Sequence, residues 1–203
     1  REVLGVVKAN AYGMGAVDVA KTLQEIGVDF FGVANIEEAI ELQETNINSK
    51  ILILGASFPE ELVEATKRNI HVAISSMSQL EFLKNNSLNP HIHLKFDTGM
   101  TRLGFYPEQA NDVIKFCKDN NLNLVGIFSH LSDTDGVTQD TKNFTLEQIK
   151  KFEKIVSNLD LQYIHISNSA GITNFHDNIL GNLVRLGIGM YSFTGNKKTE
   201  YLK

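Results

Sequence analysis

The segment Val6-Val7-Lys8-Ala9-Asn10-Ala11-Tyr12-Gly13-Met14-Gly15 gathers reactive and permissive residue types into ten positions. A lysine closes an apolar, strand-like run, and a tyrosine and two glycines follow at once. An amine at the mouth of a strand condenses with a carbonyl when its surroundings keep it partly neutral. The Tyr-Gly-x-Gly turn leads into a helical pattern. A helix N-terminus there offers N–H groups and the positive end of a dipole, which suit a phosphate. Lysine plus phosphate cradle is the minimal equipment for holding pyridoxal 5'-phosphate. The same ten residues also suit a solvated strand flank followed by an ordinary turn, so the surrounding elements decide.

Those elements alternate. Apolar runs at 3–7, 29–34, 50–54, 71–75, 91–96, 124–129, 163–167 and 183–191 read as strands. Amphipathic patterns at 16–26, 36–44, 59–68, 77–84, 107–119 and 145–159 read as helices. Runs such as Ile51-Leu52-Ile53-Leu54 are apolar on both faces, as strands of a covered parallel sheet are. Eight such units predict an α/β fold, a (β/α)8 TIM-type barrel over residues 1–203. A doubly wound open sheet is the alternative, and no Gly-x-Gly-x-x-Gly fingerprint supports it.

Barrel chemistry sits at the C-terminal strand ends, with phosphate commonly held after strands seven and eight. Lys8 ends the first strand, Asp97-Thr98-Gly99 follows the fifth, and His130 ends the sixth. Ser167-Asn168-Ser169 closes the seventh, and Arg185-Leu186-Gly187-Ile188-Gly189 lies in the eighth. His91 and His93 share one strand face by the period of two. No third ligand accompanies them, so they are read as structural, as are His71 and His176, and no metal is expected.

Composition narrows the class. Of 203 residues 42% are hydrophobic and 21% charged, and the net charge of −5 has no long like-charge run. Nucleic-acid and membrane-surface partners are therefore not expected. No apolar run is long enough to span a membrane. Cys117 is the lone cysteine and reads as a small buried hydrophobe. A reducing, cytoplasmic setting is expected. The chain starts at Arg1 inside a strand pattern and ends at Tyr201-Leu202-Lys203 without a stop signal, so we expect a piece of a longer protein.

Taken together, five stretches resemble the alanine racemases, fold-type III pyridoxal-phosphate enzymes. They are Val7 to Gly13, Lys95-Phe96-Asp97-Thr98-Gly99-Met100-Thr101-Arg102-Leu103-Gly104, Ser129-His130-Leu131, His165-Ile166-Ser167-Asn168-Ser169-Ala170 and Val184 to Tyr191. They run in family order over nearly the whole chain. The resemblance implies that Lys8 bonds the cofactor and moves a substrate proton on one face. It implies that Tyr12, Ser169, Gly187 and Ile188 hold the cofactor phosphate, with Asn168 beside them. Arg102 would lie by the phenolic oxygen and the substrate, oriented by Lys95, which is carbamylated in some members. Arg185 would face the pyridine nitrogen, with His165 hydrogen-bonded to it and His130 close to the ring.

A guanidinium cannot protonate that nitrogen, so side reactions such as transamination should be restrained. Met14, Thr101 and Ser192 depart from common family residues. The resemblance further implies an alanine substrate, a homodimer, and D-alanine supply for the cell wall. Its second base is a tyrosine on a C-terminal β domain, which is expected to be absent from this chain along with a short N-terminal segment. Two rival readings are a fold-type III amino-acid decarboxylase, against which Arg185 speaks, and a cofactor-binding fragment without turnover.

Overall fold

The structure, a computed structural model, describes residues 1–191; the sequence readings at Ser192 and at Tyr201-Leu202-Lys203 lie outside the described residues. Eight strands carry the architecture: β1 (Glu2–Val6), β2 (Phe30–Val33), β3 (Lys50–Ile53), β4 (His71–Ile74), β5 (Ile92–Lys95), β6 (Leu124–Phe128), β7 (Tyr163–His165) and β8 (Leu183–Leu186). The α-helices between them are α1 (Ala16–Glu25), α2 (Ile36–Glu44), α3 (Pro59–Lys67), α4 (Met77–Asn85), α5 (Ala110–Asp119), α6 (Gln139–Val156) and α7 (Ser169–Asn174). All ladders are parallel, in the order β7-β6-β5-β4-β3-β2-β1-β8. That is chain order with β8 carried round to β1, so the open doubly wound alternative is excluded. Individual hydrogen bonds close the seam between β7 and β8: Asn182 N–H donates to Ile164 O and Arg185 N–H to Ser167 O, both at 3.0 Å. The fold is a nearly closed (β/α)8 barrel.

The period of two along each strand sorts the side chains. One set, including Phe31, Val33, Ile51, Ile53, Val72, Ile74 and Leu94, packs against Ala39, Leu42, Leu62 and Leu80 of the helices. The alternate set, Leu4, Val6, Phe30, Leu52, Tyr163 and Leu183, forms a smaller cluster inside the barrel. Each fully buried aliphatic or Phe side chain contributes about 1.5–3 kcal/mol, so the strands are held from both faces. Several helices start on side-chain caps. Asn35, Ser76, Thr138 and Asn168 accept N–H bonds from Glu38, Gln79, Thr141 and Gly171 respectively. Each cap typically adds ~1 kcal/mol.

Three elements depart from the sequence reading. Helix α6 starts at Gln139 rather than 145 because Thr138 caps it there, ahead of a polar stretch that carries no apolar period. Strand β8 stops at Leu186, and Ile188–Tyr191 forms a 3-10 turn instead of continuing to 191. Helix α7 has only six residues, too few for a periodic signal. Among the described residues, no helix is long and apolar enough to cross a membrane. No group of three or more His, Cys, Asp or Glu among them is placed to hold a metal ion.

Candidate active site

The inward-facing set ends, at the C-terminal rim, in a cavity of about 430 Å³. Lys8, Tyr12, Lys95, Arg102, His130, Asn168, Ser169, Arg185, Gly187 and Ile188 all line it. His165 does not; it is wholly buried beneath and reaches the cavity through Arg185. Phe128, Thr134 and Asp135 line it too, and the sequence reading did not single them out. Only Phe128 carried a signal, as the inward-facing residue two positions before His130. Four cations and one carboxylate, that of Asp135, face the cavity. That donor set suits an anionic ligand.

Lys8 is half-buried just beyond β1 and begins an unusual turn. Ala9, Asn10, Ala11 and Tyr12 all have left-handed backbone angles, with φ between 51° and 56°. For residues with a Cβ this costs roughly 1–2 kcal/mol each, and such strain persists where surroundings over-determine it. Here they do. One Glu38 carboxylate oxygen accepts from Ala9 N–H at 2.8 Å, and the other accepts from Ala34 N–H at 2.7 Å. Asn10 Oδ1 accepts from Ala16 N–H at 2.8 Å, which caps α1 and anchors the turn from its other side. The sequence showed Glu38 only as an acidic residue of a first helical turn, and its clamp on the lysine turn went unread. The expected phosphate cradle at Tyr-Gly-x-Gly is corrected: Gly13 and Gly15 do not line the cavity, and Asn10 occupies the first N–H of α1.

Across the cavity a hydroxyl and two backbone amides converge. Ser169 Oγ accepts from Gly187 N–H at 3.0 Å and Gly189 N–H at 3.1 Å, tying α7 to the turn after β8. A Cβ on Gly187 would sit 2.6 Å from the Tyr12 hydroxyl. Glycine thus lets tyrosine and backbone line one cradle. Asn168 is engaged below, accepting from Gly171 N–H and Thr134 Oγ–H and donating to Leu131 O.

Arg185 is buried on the inner face of β8. Its Nη1 donates to His165 Nδ1 at 2.8 Å and to His165 O at 3.1 Å. Nη2 donates to Ser129 O at 2.7 Å and Ile166 O at 2.9 Å, with His130 Nδ1 at 3.3 Å. Nε makes no hydrogen bond among the described residues. Burial lowers the guanidinium pKa to about 9. The guanidinium lies 5.3 Å from the centre of the Phe128 ring.

Lys95 is likewise buried, 5.5 Å from that ring centre. Burial, then Arg102 and Arg185, lower its pKa to about 8, so a neutral fraction exists near neutrality. Burial and the surrounding cations Arg185, Arg102, Lys95 and Lys8 push His130 down to about 2, which keeps it neutral. Asp97 turns away from the cavity. Its carboxylate accepts from Gly99 and Thr101 N–H at 2.9 and 3.0 Å and from Arg102 N–H at 2.8 Å, folding the loop that carries exposed Arg102 to the cavity. Burial opposes its ionisation, but these backbone donors outweigh burial and lower its pKa.

His91 and His93 do share the inner face of one strand. They part company there: His91 bonds Asn69 and Asn123, whereas His93 lies between two other imidazoles. His176 is exposed beside Asp177.

With this geometry in hand, comparison with known proteins is specific. The family model for the alanine racemase N-terminal domain matches residues 1–194. The alanine racemase of Fusobacterium nucleatum subsp. nucleatum is 75% identical over all 203 residues, which cover 57% of that protein. Among solved structures, alanine racemase from E. faecalis superposes with a TM-score of 0.88 at 31% identity, covering 98% of this chain and 55% of that one. Alanine racemase from Bacillus anthracis with bound L-Ala-P gives 0.86 at 27% identity, covering 98% and 53%. The chain therefore spans about half the length of the relatives it matches.

Proposed function

The chain belongs to the alanine racemase N-terminal domain family, and from that premise we propose that it is the pyridoxal 5'-phosphate-binding barrel of a cytoplasmic enzyme that interconverts L- and D-alanine. The observation that carries this reading is the convergence of Lys8, Lys95, Arg102 and Arg185 on one cavity whose far wall is a Ser169–Gly187 cradle. In this proposal Lys8 bonds the cofactor, Tyr12, Ser169, Gly187 and Ile188 hold its phosphate, and Arg185 faces its ring nitrogen. Bound there, the cofactor supplies the electron sink that acidifies the substrate's α-hydrogen.

The chain's own residues do the rest. Lys8, once free, takes or returns a proton at the α-carbon from one face, a step of the kind that contributes about 10²–10⁴-fold. A second base would act from the opposite face, contributed across a homodimer. Arg185 keeps its proton because its Nη donors are engaged with carbonyls and His165. Facing the ring nitrogen of a bound cofactor, it would have no proton to give, which would restrain transamination. Arg102 orients substrate and phenolic oxygen. Lys95 backs Arg102, and its neutral amine is the form that adds carbon dioxide to become a carbamate. The D-alanine product would serve peptidoglycan.

The test is to add pyridoxal phosphate to the full-length protein, reduce with borohydride, and map the adduct by peptide mass spectrometry. A pyridoxyl group on Lys8 is expected. No adduct, or one scattered over surface lysines, would overturn the reading.

A further inference from the structure

TIM-type barrels ordinarily fill their interior with layers of branched aliphatic side chains. This barrel instead threads three imidazoles between its rims: His165 on β7, His93 on β5 and His71 on β4, all buried. They touch in series. Arg185 Nη1 lies 2.8 Å from His165 Nδ1, His165 Nε2 lies 3.1 Å from His93 Nδ1, and His93 Nε2 lies 3.0 Å from His71 Nδ1.

The chemistry of the first member fixes the rest. A guanidinium only donates, so His165 Nδ1 accepts. A neutral His165 then carries its hydrogen on Nε2 and donates to His93 Nδ1. His93 in turn carries its hydrogen on Nε2 and donates to His71 Nδ1. Burial, first of all, holds the three imidazoles neutral: His71 is lowered to about 3, and His93 and His165 well below the ordinary value. Three bonds therefore run in one sense, from the cavity toward the N-terminal rim. Bonds aligned this way polarise one another.

The barrel is shaped around this series. The β5–β6 register shifts between Ile92 and His93, which sets Gly126 opposite His93. A Cβ on Gly126 would lie 2.4 Å from His93 Nδ1. Tyr163 stacks on His93 with ring centres 5.3 Å apart, and Phe128 stacks on His165 at 4.8 Å with an interplanar angle of 1°. Arg185, meanwhile, is a buried cation that meets three carbonyls and two imidazoles and no carboxylate among the described residues. Something other than an ion pair must accommodate its charge.

We propose that His93 and His71 are positioning residues of this site. With His165 they form a one-directional imidazole relay that disperses the Arg185 charge down the barrel axis and locks the His165 tautomer that Arg185 needs. The proposal rests on Arg185 facing the cofactor's ring nitrogen as read above. Without His93 as acceptor, His165 is free to move its hydrogen to Nδ1, where it would oppose an Arg185 N–H. Arg185 would then loosen, and reaction specificity with it.

The experiment is imidazole ¹⁵N NMR on the full-length protein labelled at histidine, for wild type, His93→Phe, His93→Gln and His71→Phe. Phenylalanine keeps the stack on Tyr163 and removes both hydrogen bonds, whereas glutamine offers an acceptor and a donor. In wild type, three neutral Nε2–H imidazoles that do not titrate between about pH 6 and 8 are expected. In His93→Phe, His165 should show mixed tautomers, and pyruvate released per racemisation should rise severalfold. His93→Gln should restore both. His71→Phe should act in the same direction more weakly. A wild-type His165 carrying hydrogen on Nδ1 overturns the relay whether or not any variant folds. An unchanged His165 tautomer in His93→Phe also overturns it. A Lys8 adduct with an unlocked His165 would remove the relay alone, and locked tautomers without a Lys8 adduct would remove the functional reading alone.

Discussion

Two lysines point into the same barrel and meet opposite fates. Lys50 opens β3 at the N-terminal rim, and Lys95 closes β5 at the C-terminal rim. Lys50 sits 3.3 Å from Asp29 and 3.8 Å from Glu2, with the Tyr163 hydroxyl at 3.4 Å. Burial pulls its pKa down, but Tyr163 and Asp29 outweigh burial and raise it. Lys95 is buried with Arg102 and Arg185 as neighbours, and its pKa falls to about 8. The lower rim thus neutralises its cation with partners, while the upper rim collects cations that have no ion-pair partner among the described residues and holds Lys95 and Arg185 with carbonyls, imidazoles and an aromatic face. Unpaired positive charge in a cavity is a standing invitation to an anionic ligand, and it destabilises the empty fold. On the proposed reading, the end that stabilises lies below and the end that reacts lies above.

The largest test of that division is Lys8→Ala. If the upper rim is the reacting end, loss of the amine removes both the covalent anchor and one base. Racemisation should fall at least about 10⁴-fold, as losing a general base and a nucleophile together implies. Thermal stability should hold or rise slightly, since a like charge leaves the rim. Activity within a few fold of wild type in a steady-state assay would refute the assignment.

Arg185→Glu probes the same rim for specificity rather than rate. A carboxylic acid facing the ring nitrogen can share a proton with it, as guanidinium cannot. Racemisation should drop, and the ratio of pyruvate formed to alanine racemised should rise by about an order of magnitude, equivalent to ~1.4 kcal/mol of differential barrier. An unchanged ratio would count against Arg185 as the specificity element.

How much of this was legible beforehand differs between elements. Strands buried on both faces are written as apolar runs, so all eight were locatable. Lys8 and His130 stand at strand ends and Arg185 within the eighth strand, which pointed to the rim, whereas Lys95 was singled out only through the family resemblance. The period names a face but not the neighbour across the barrel. His71, His93 and His165 stand far apart in the chain and meet only because β4, β5 and β7 curve round one axis. Glu38 looked like an ordinary first-turn acid, because nothing local shows that a strained backbone turn 29 residues earlier needs its oxygens. Thr134 and Asp135 lie between β6 and α6, where no periodicity constrains a reading.

Between the rims, the buried imidazoles make a pH prediction. His71, His93 and His165 have pKa values lowered below 6.5 in the folded chain, to about 3 for His71. Unfolded, each binds a proton below about 6.5. Stability is therefore full above that pH and is lost as pH falls below it, by about 1.4 kcal/mol per unit for each imidazole that stays neutral. Urea midpoints should be flat from about pH 8 to 7 and drop steeply between about 6.5 and 5.5. A flat profile down to about pH 5.5 would mean that the interior tolerates imidazolium, and the contrast between a charged rim and a neutral axis would fail.

The smallest effect belongs to Lys50→Met, and it sharpens the comparison most. The side chain is 35% exposed, and its partners Glu2 and Asp29 are more exposed still. Ion pairs of that kind contribute about 0.2–1 kcal/mol. Methionine keeps the aliphatic stem against the Phe30 and Tyr163 rings that the ammonium now faces at 5.4 and 5.7 Å. Stability should consequently change by less than about 1 kcal/mol, with kcat/KM unaltered. A large fall in kcat/KM without unfolding would join the lower rim to the reaction, through Tyr163 and the imidazoles above it. An unaltered kcat/KM, set beside the collapse expected for Lys8→Ala, would show that the end of the barrel a lysine occupies decides whether it takes part in the reaction.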